Sequence, residues 1–152
     1  VISNNRNAYA LERAKNAGIA SVCVSPKDFA SRTEFNQELL KVVDDFEADL
    51  LVLAGFLVVI PEMMIEKYRN RIINIHPSLL PKHPGLNPWN AIMSDTSQTN
   101  GVTLHRITQN VDAGEIMAQS SYSIVGMSCK SARQMADDIA GMMISDFIKN
   151  LQ

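Results

Sequence analysis

The sequence predicts an α/β fold: an open, mainly parallel (Rossmann-like) sheet with a mixed edge and helices on both faces. Three observations support this class. Apolar, β-branched runs alternate with segments of helical period from Val1 to His76. Residues 50–53 are apolar at every position, which is typical of a central parallel strand covered on both faces. Two strand-like segments, 101–108 and 115–124, follow each other without a helix, so we expect the mixed edge there.

The first part of the chain is predicted to form two strand–helix pairs. Residues 1–3 and 20–24 are short apolar runs that favour strands, and the helix formers of 8–17 end at a glycine. Ser31 and Glu34 have the spacing of a capping box that opens the second helix. Its apolar residues recur at intervals of three and four, so one face is expected to pack on the sheet. They are Phe35, Leu39, Val42, Val43 and Phe46.

The chain then continues with a helix that starts near Pro61, a strand at Ile72–His76 and a loop that follows Pro77. Four more proline or glycine residues interrupt this loop: Pro81, Pro84, Gly85 and Pro88. A C-terminal helix with its own apolar stripe is predicted to be capped by Ser131 with Gln134.

Composition describes one ordinary globular domain that needs no disulfides. The chain has 152 residues, of which 46% are hydrophobic and 20% are charged. The formal net charge of -2 and the lack of a Lys/Arg run argue against a nucleic-acid partner, because such binding depends on clustered cations. We therefore expect small-molecule substrates. The chain is expected to be a monomer or a homodimer, a choice that the sequence does not decide.

Cysteine usage and hydropathy predict a cytoplasmic protein. Cys23 and Cys129 show neither a paired motif nor metal-ligand spacing, so we expect reduced thiols and no metal. The most apolar stretch, 50–60, is shorter than the roughly 18 residues that a membrane-spanning helix needs. We therefore expect no association with a membrane.

Asn74 and His76 are the first candidates for chemistry. In an open α/β sheet, ligands gather outside the carboxyl ends of the strands, and Pro77 ends the predicted strand directly after His76. Residues two apart in a strand point to the same face, so the two side chains are expected to project together. An Asn amide can donate to an oxyanion and a His can move protons near neutral pH, which suits acyl transfer.

Asp112 is the candidate that completes this set. It lies in the turn 109–114, which follows the strand containing His105, and Gly114 would permit unusual backbone angles there. Its carboxylate could orient the imidazole of His76 and favour the protonated ring. On spacing alone a structural interpretation stays open, because such an Asn and His can form a hydrogen-bonded pair and such an Asp can be a turn former.

A longer pattern gives these residues a family context. The run NIHPSLLPK at 74–82, followed by Pro84 and Gly85, resembles the signature of the folate-dependent formyltransferases. It is more similar to the phosphoribosylglycinamide branch than to the methionyl-tRNA branch. Further segments occur in the family's order and approximate spacing, namely SNN at 3–5, ERA at 12–14, AGI at 17–19, LAGF at 53–56, GVTLH at 101–105 and VDAGEI at 111–116.

The resemblance implies that Asn74, His76 and Asp112 catalyse transfer of a formyl group from 10-formyltetrahydrofolate to a primary amine. In the branch named above, the amine is that of glycinamide ribonucleotide, in purine biosynthesis. The family mechanism implies that the amine attacks the formyl carbon while Asn74 and protonated His76 stabilise the oxyanion. Protons would pass through His76 or a water held by Asp112. The resemblance implies neither a metal nor a covalent enzyme intermediate.

The resemblance also implies ligand contacts. The folate contacts that it implies are Arg32, Leu57, Val59, Ile60, Thr108 and Val111. The substrate contacts that it implies are Pro77, Gly85 and His105. Arg32 would lie near the glutamate tail of the folate, and a solvated surface charge beside Glu34 is the alternative. A structural hydrogen bond on its strand explains His105 more readily than a substrate contact does.

Several departures from the family pattern leave the identity of the acceptor amine undecided. The family begins with a strand and a Gly-rich turn that holds the acceptor's phosphate at a helix N-terminus. Since the sequence opens at Val1, we expect a catalytic domain, 1–152, without that piece. Val58 stands where the family has an arginine, 137–141 offers no Glu for the ribonucleotide, and 85–89 differs from the usual branch pattern.

Because of these departures, three alternative functions stay open. An amino-sugar N-formyltransferase would use a different amine, and a formyltetrahydrofolate hydrolase would use water in its place. A folate-binding module that lost catalysis belongs to a different class. The presence of all three catalytic residue types argues against that module.

Overall fold

A computed structural model describes residues 1–151, which form two compact units. The first unit comprises Val1–Asp49 with Phe56–Met64, and the second comprises Leu50–Gly55 with the chain from Ile65 onward. Strands and helices alternate as predicted, so the α/β class is confirmed. Among residues 1–151, none of the helices has the length and hydropathy of a membrane-spanning segment.

The described residues contain six strands, five α-helices and one short 3-10 helix. The strands are β1 Ile2–Ser3, β2 Val22–Cys23, β3 Leu51–Ala54, β4 Ile72–His76, β5 Thr99–Arg106 and β6 Ile116–Ser123. The α-helices are α1 Tyr9–Asn16, α2 Arg32–Asp45, α3 Glu62–Lys67, α4 Trp89–Ser94 and α5 Cys129–Lys149. The 3-10 helix is Pro26–Asp28.

In the first unit, β1 pairs in parallel with β2, and α2 begins at its predicted cap. The Ser31 hydroxyl accepts the Glu34 amide at 3.1 Å, as expected for a capping box. The Glu34 carboxylate accepts the Ala30 amide instead of the Ser31 amide, so the reciprocal bond lies one residue earlier. Phe35, Leu39 and Val43 form a buried stripe as the helical period predicts, whereas Phe46 is the C-cap residue and is 40% exposed.

In the second unit the strand order is β3-β4-β5-β6. β3 and β4 are parallel, whereas β5 is antiparallel to both β4 and β6, so the predicted mixed edge is confirmed. β3 is a terminal strand of this sheet and its residues Leu51 to Leu53 are only half-buried. The prediction of a central strand covered on both faces is therefore wrong for this sheet, because an all-apolar run does not fix a strand's place in the order.

The core of the second unit lies where α4 and α5 meet β5. Its buried members are Trp89, Ile92, Val102, Ala132, Ala136 and Ile139, and Ile75 of β4 packs against them. Since residues alternate along a strand, Ile75 on this face directs its neighbours Asn74 and His76 to the other face. The packing of Ile75 in this core thus orients the side chains of Asn74 and His76.

The cap of α5 and the content of the proline-rich loop differ from their predictions. α5 begins at Cys129, and its cap is Ser128, whose hydroxyl accepts the Ser131 amide at 3.1 Å. Ser131 lies in the first turn because Ser128 already provides the capping oxygen three residues earlier. The proline-rich loop contains α4, which starts directly after Pro88, and Trp89 is a buried anchor in the core.

Candidate active site

Asn74 and His76 lie at the carboxyl end of β4, and each side chain lies close to another polar side chain. In the antiparallel pairing of β4 with β5, Asn74 is directly opposite His105. The Asn74 amide nitrogen, Nδ2, lies 3.1 Å from Nε2 of His105. We call Asn74, His76, His105 and Asp112 the polar cluster.

His76 is buried, with 4% of its surface exposed, and both of its ring nitrogens face oxygen atoms. Nε2 lies 2.8 Å from the backbone carbonyl of His83, and Nδ1 lies 3.4 Å from Oδ2 of Asp112. A neutral imidazole has only one N–H, whereas the protonated ring has two. The protonated ring therefore satisfies both contacts at once.

Asp112 joins the cluster through an unusual backbone. Its φ of +50° lies in the left-handed region, which Asp adopts more readily than most residues. Oδ2 accepts the Gly85 amide at 2.7 Å, and Oδ1 lies 3.5 Å from Nε2 of His105. The side chain is only 9% exposed, so the contact with His76 is poorly screened by solvent.

Gly114 has a different role from the one predicted. Its φ is not in the left-handed region, which Asp112 occupies instead. A Cβ at Gly114 would lie 1.8 Å from the backbone oxygen of Arg106. The turn needs glycine because two backbone segments approach closely, and this approach places Asp112 beside the end of β5.

His105 fixes the orientation of the Asn74 amide. A backbone carbonyl can only accept, so His105 Nδ1, 2.9 Å from the Arg106 oxygen, carries the proton. Nε2 of the neutral ring must then accept from Asn74, which assigns the amide nitrogen to this side. Burial lowers the pKa of His105, and this favours the same neutral ring. The second N–H of Asn74 remains available to a ligand.

His105 is therefore an internal partner of the cluster. The resemblance implied a substrate contact, whereas the structure buries this residue completely between Asn74 and Asp112. The signal that could have identified this contact is cross-strand pairing with Asn74. That pairing depends on the register between β4 and β5, which the spacing of residues along the chain does not determine.

Buried hydrogen bonds hold the loop after β4 against β5 and β6. The Thr103 hydroxyl donates to the Ser78 carbonyl at 2.6 Å and accepts the Leu80 amide at 3.0 Å. The Gln119 amide donates to the Leu80 carbonyl and to Thr103, each at 2.9 Å. The Pro77 carbonyl accepts from Asn100 at 3.0 Å. These bonds attach the first part of the loop, from Pro77 to Leu80, to β5 and β6.

Gly85, a predicted substrate contact, contributes its amide to Asp112 and has a φ of +100°. Pro77 is half-buried. Sequence reasoning missed His83, whose carbonyl contacts His76, because a backbone oxygen leaves no mark in the residue pattern.

The predicted folate contacts of the first unit lie in residues 57–60 and at Arg32, the first residue of α2. Leu57 and Val59 are 64% and 54% exposed, whereas Ile60 is buried. Arg32 donates to the Val59 carbonyl at 2.8 Å and to the Asn36 side chain at 3.2 Å. The exposed Arg32 side chain thus contacts the backbone of residues 57–60, and its role toward the folate stays a prediction.

The predicted folate contacts of the second unit are exposed. Val111 is 56% exposed, and the Thr108 hydroxyl donates to the Asn110 carbonyl at 3.1 Å. Their roles in binding stay predictions. Among residues 1–151, no three or more His, Cys, Asp or Glu side chains are grouped so as to hold a metal ion.

Known proteins resemble this chain along most of its length. It is 36% identical over 124 residues to phosphoribosylglycinamide formyltransferase of Escherichia coli strain K12, and this match covers 82% of the chain and 58% of the relative. It is 40% identical over 125 residues to the trifunctional purine biosynthetic protein adenosine-3 of Drosophila melanogaster, covering 82% of the chain and 9% of that protein. The chain thus spans less than two thirds of either relative.

Solved structures agree with these relatives. The phosphoribosylglycinamide formyltransferase of Streptococcus pneumoniae TIGR4 superposes with a TM-score of 0.93 at 28% identity, over 99% of this chain and 84% of that one. The enzyme of the same name from Anaplasma phagocytophilum gives 0.88 at 31% identity, over 98% and 71%. The formyl transferase family itself matches residues 1–143. The predicted family is therefore confirmed, and the chain belongs to the formyl transferase family.

Proposed function

We propose that this chain transfers a formyl group from 10-formyltetrahydrofolate to the amine of glycinamide ribonucleotide. The observation that carries the proposal is the polar cluster, in which a His with two acceptor contacts, an Asn with a spare N–H and a buried carboxylate meet at the end of β4. The names of the E. coli and S. pneumoniae relatives support the same acceptor.

The cluster suits acyl transfer because its donors are fixed before the reaction. The donor molecule supplies an activated formyl carbonyl, whose oxygen gains negative charge when an amine attacks. The free N–H of Asn74 and the protonated His76 are the two groups that offset this charge. Since His105 holds the Asn74 amide, no side chain must reorganise to present that N–H.

Asp112 has two roles in the proposal. Its negative charge stabilises protonated His76, and its oxygens can accept a proton from the amine directly or through one water. The Gly85 amide occupies Oδ2 and limits the rotation of the carboxylate. Asp112 therefore acts from a fixed position, as general-base chemistry requires.

Binding residues remain proposals of the same kind. For the folate we propose the exposed Leu57 and Val59, the backbone near Ile60 and the Arg32 side chain in the first unit. In the second unit we propose Thr108 and Val111 for the folate and Gly85 for the acceptor. Residues 1–152 would form the catalytic domain, as a monomer or homodimer in the cytoplasm, without a metal.

The decisive experiment offers three acceptors to the purified chain in the presence of 10-formyltetrahydrofolate. Glycinamide ribonucleotide, an amino-sugar nucleotide and water alone are compared by following loss of the formyl group and formation of the formylated amine. The proposal requires formylation of glycinamide ribonucleotide in preference to the other two. Preferential use of the sugar, or hydrolysis alone, would replace it with the corresponding alternative.

The variant His76→Ala tests the catalytic role of His76 directly. General acid and oxyanion roles each contribute on the order of a hundredfold or more, so turnover should fall at least that far. The purified variant must retain its circular dichroism spectrum. Turnover equal to that of the wild-type chain would remove His76 from the mechanism.

A further inference from the structure

We propose that His83 and Asp95 form a positioning pair that holds His76 by its Nε2 atom and leaves Nδ1 as the nitrogen that acts on the substrate. The proposal rests on the proposed formyl transfer. It assigns a role to two residues of the proline-rich loop and its helix that the family signature does not include.

The pair itself is a short hydrogen-bonding contact between an imidazole ring and a carboxylate. Nε2 of His83 lies 2.9 Å from Oδ2 of Asp95, and the two side chains are 20% and 24% exposed. The other oxygen of Asp95 accepts the Ser97 amide at 2.9 Å. The Ser97 amide and the His83 ring both lower the pKa of Asp95, so the carboxylate is charged at neutral pH. Asp95 therefore fixes the His83 side chain to the end of α4.

The backbone of His83 needs such an anchor. Its φ of +51° lies in the left-handed region, which costs a residue other than glycine roughly 1 kcal/mol. In this conformation the His83 carbonyl faces Nε2 of His76 at 2.8 Å and also accepts the Ser78 hydroxyl at 3.4 Å. The side-chain pair thus offsets the backbone strain that turns the carbonyl toward His76.

The carbonyl determines how His76 can work. Because Nε2 is bound at 2.8 Å, it must carry a proton and is not free for a ligand. Nδ1 has the longer contact, 3.4 Å to Asp112, and is the nitrogen that a developing oxyanion can engage. Loss of the carbonyl would let the ring turn and exchange the roles of its two nitrogens.

Three variants separate the charge, the backbone and the hydrogen bond. Asp95→Asn keeps an oxygen for the Ser97 amide but removes the charge opposite His83. His83→Asn keeps a residue that tolerates a positive φ but shortens the side chain. His83→Gln restores an N–H donor of suitable length toward Asp95. Lys149→Gln is the matched control, since it removes an exposed ion pair with Asp146 in the same unit.

The first readout is the nitrogen-15 NMR spectrum of the histidine rings, which is simple because the chain has three histidines. In the wild-type chain, Nε2 of His76 should be protonated and hydrogen-bonded. In Asp95→Asn and His83→Asn this resonance should move toward that of a freely exposed ring, and His83→Gln should restore it. Lys149→Gln should leave it unchanged.

The second readout separates kcat from KM. Misplacement of a catalytic group can cost up to about a hundredfold, so we expect kcat to fall on the order of tenfold in Asp95→Asn and His83→Asn. The KM for 10-formyltetrahydrofolate should change by less than about twofold, because no proposed folate contact is altered. A lower melting temperature with unchanged NMR resonances and kcat would overturn the proposal and leave the pair purely structural. If the wild-type chain transfers no formyl group, the proposed function fails, and the NMR comparison still decides the positioning role.

Discussion

Nδ1 of His76 and Oδ2 of Asp112 face each other at 3.4 Å, and the same oxygen of Asp112 accepts the Gly85 amide at 2.7 Å. One carboxylate therefore connects the end of β4, the turn after β5 and the loop that precedes α4. Its charge and its hydrogen-bond geometry can be changed separately.

Asp112→Asn should remove the charge and preserve the geometry. Asn tolerates a φ of +50° and can keep an oxygen on the Gly85 amide, but it neither stabilises protonated His76 nor accepts a proton. We expect kcat to fall on the order of a hundredfold or more, with little change in melting temperature. Steady-state kinetics measure this, with the exposed Asp146→Asn as the control. Turnover equal to wild type would exclude the proton-transfer role.

His105→Gln should make the free energy of unfolding less dependent on pH in the acid range. Burial lowers the pKa of His105 below its ordinary value of 6.5, so the unfolded chain binds this proton more readily than the folded chain. The folded state therefore loses stability as pH falls below about 6.5, and a residue that does not titrate removes this contribution. Urea unfolding at about pH 7.5 and about pH 5.5 should give a smaller difference in the variant. An equal difference in both proteins would contradict the assignment.

Thr103→Val should destabilise the second unit without changing the volume of the side chain. It removes the hydroxyl that bonds the Ser78 carbonyl and the Leu80 amide, leaving both buried groups without that partner. We expect the free energy of unfolding to fall by about 1–3 kcal/mol. Thr99→Val, at an exposed position of the same strand, is the control and should cost less. Equal losses would show that the hydroxyl adds little.

Gly114→Ala and Gly141→Ala should change stability in opposite directions. A Cβ at Gly114 would lie 1.8 Å from the Arg106 oxygen, so the turn must shift, at a cost of about 1–3 kcal/mol. At Gly141, inside α5, a Cβ meets nothing within 4 Å, and alanine favours the helix by about 1 kcal/mol. Chemical denaturation of both variants measures the contrast. A stabilised Gly114→Ala would contradict the close approach.

The sequence was sufficient for features that depend on local spacing. Asn74 and His76 share a face because strand residues alternate, and α2 buries Phe35 and Leu39 because helical residues recur at three and four. Both patterns are fixed by backbone geometry, whatever the rest of the fold. The bounds of β4 and the capping role of Ser31 follow from the same short-range rules.

Other features depend on contacts that spacing does not determine. The pairing of Asn74 with His105 is set by strand register, and the place of β3 in its sheet is set by neighbours far along the chain. α4 was missed because prolines before it suggested a loop, although a proline at a helix start is favourable. The contact of His83 with His76 uses a backbone oxygen, which every residue type has.

The Gly85 amide makes the state of this site visible to hydrogen exchange. Its proton is bound by Asp112, not by a strand or helix partner, so it exchanges only when the loop leaves the carboxylate. The exchange rate of one peptide N–H thus measures the free energy of local opening at the site, separately from unfolding of the sheet. A bound ligand that seals the loop would slow this proton while leaving the amides of β5 unaffected.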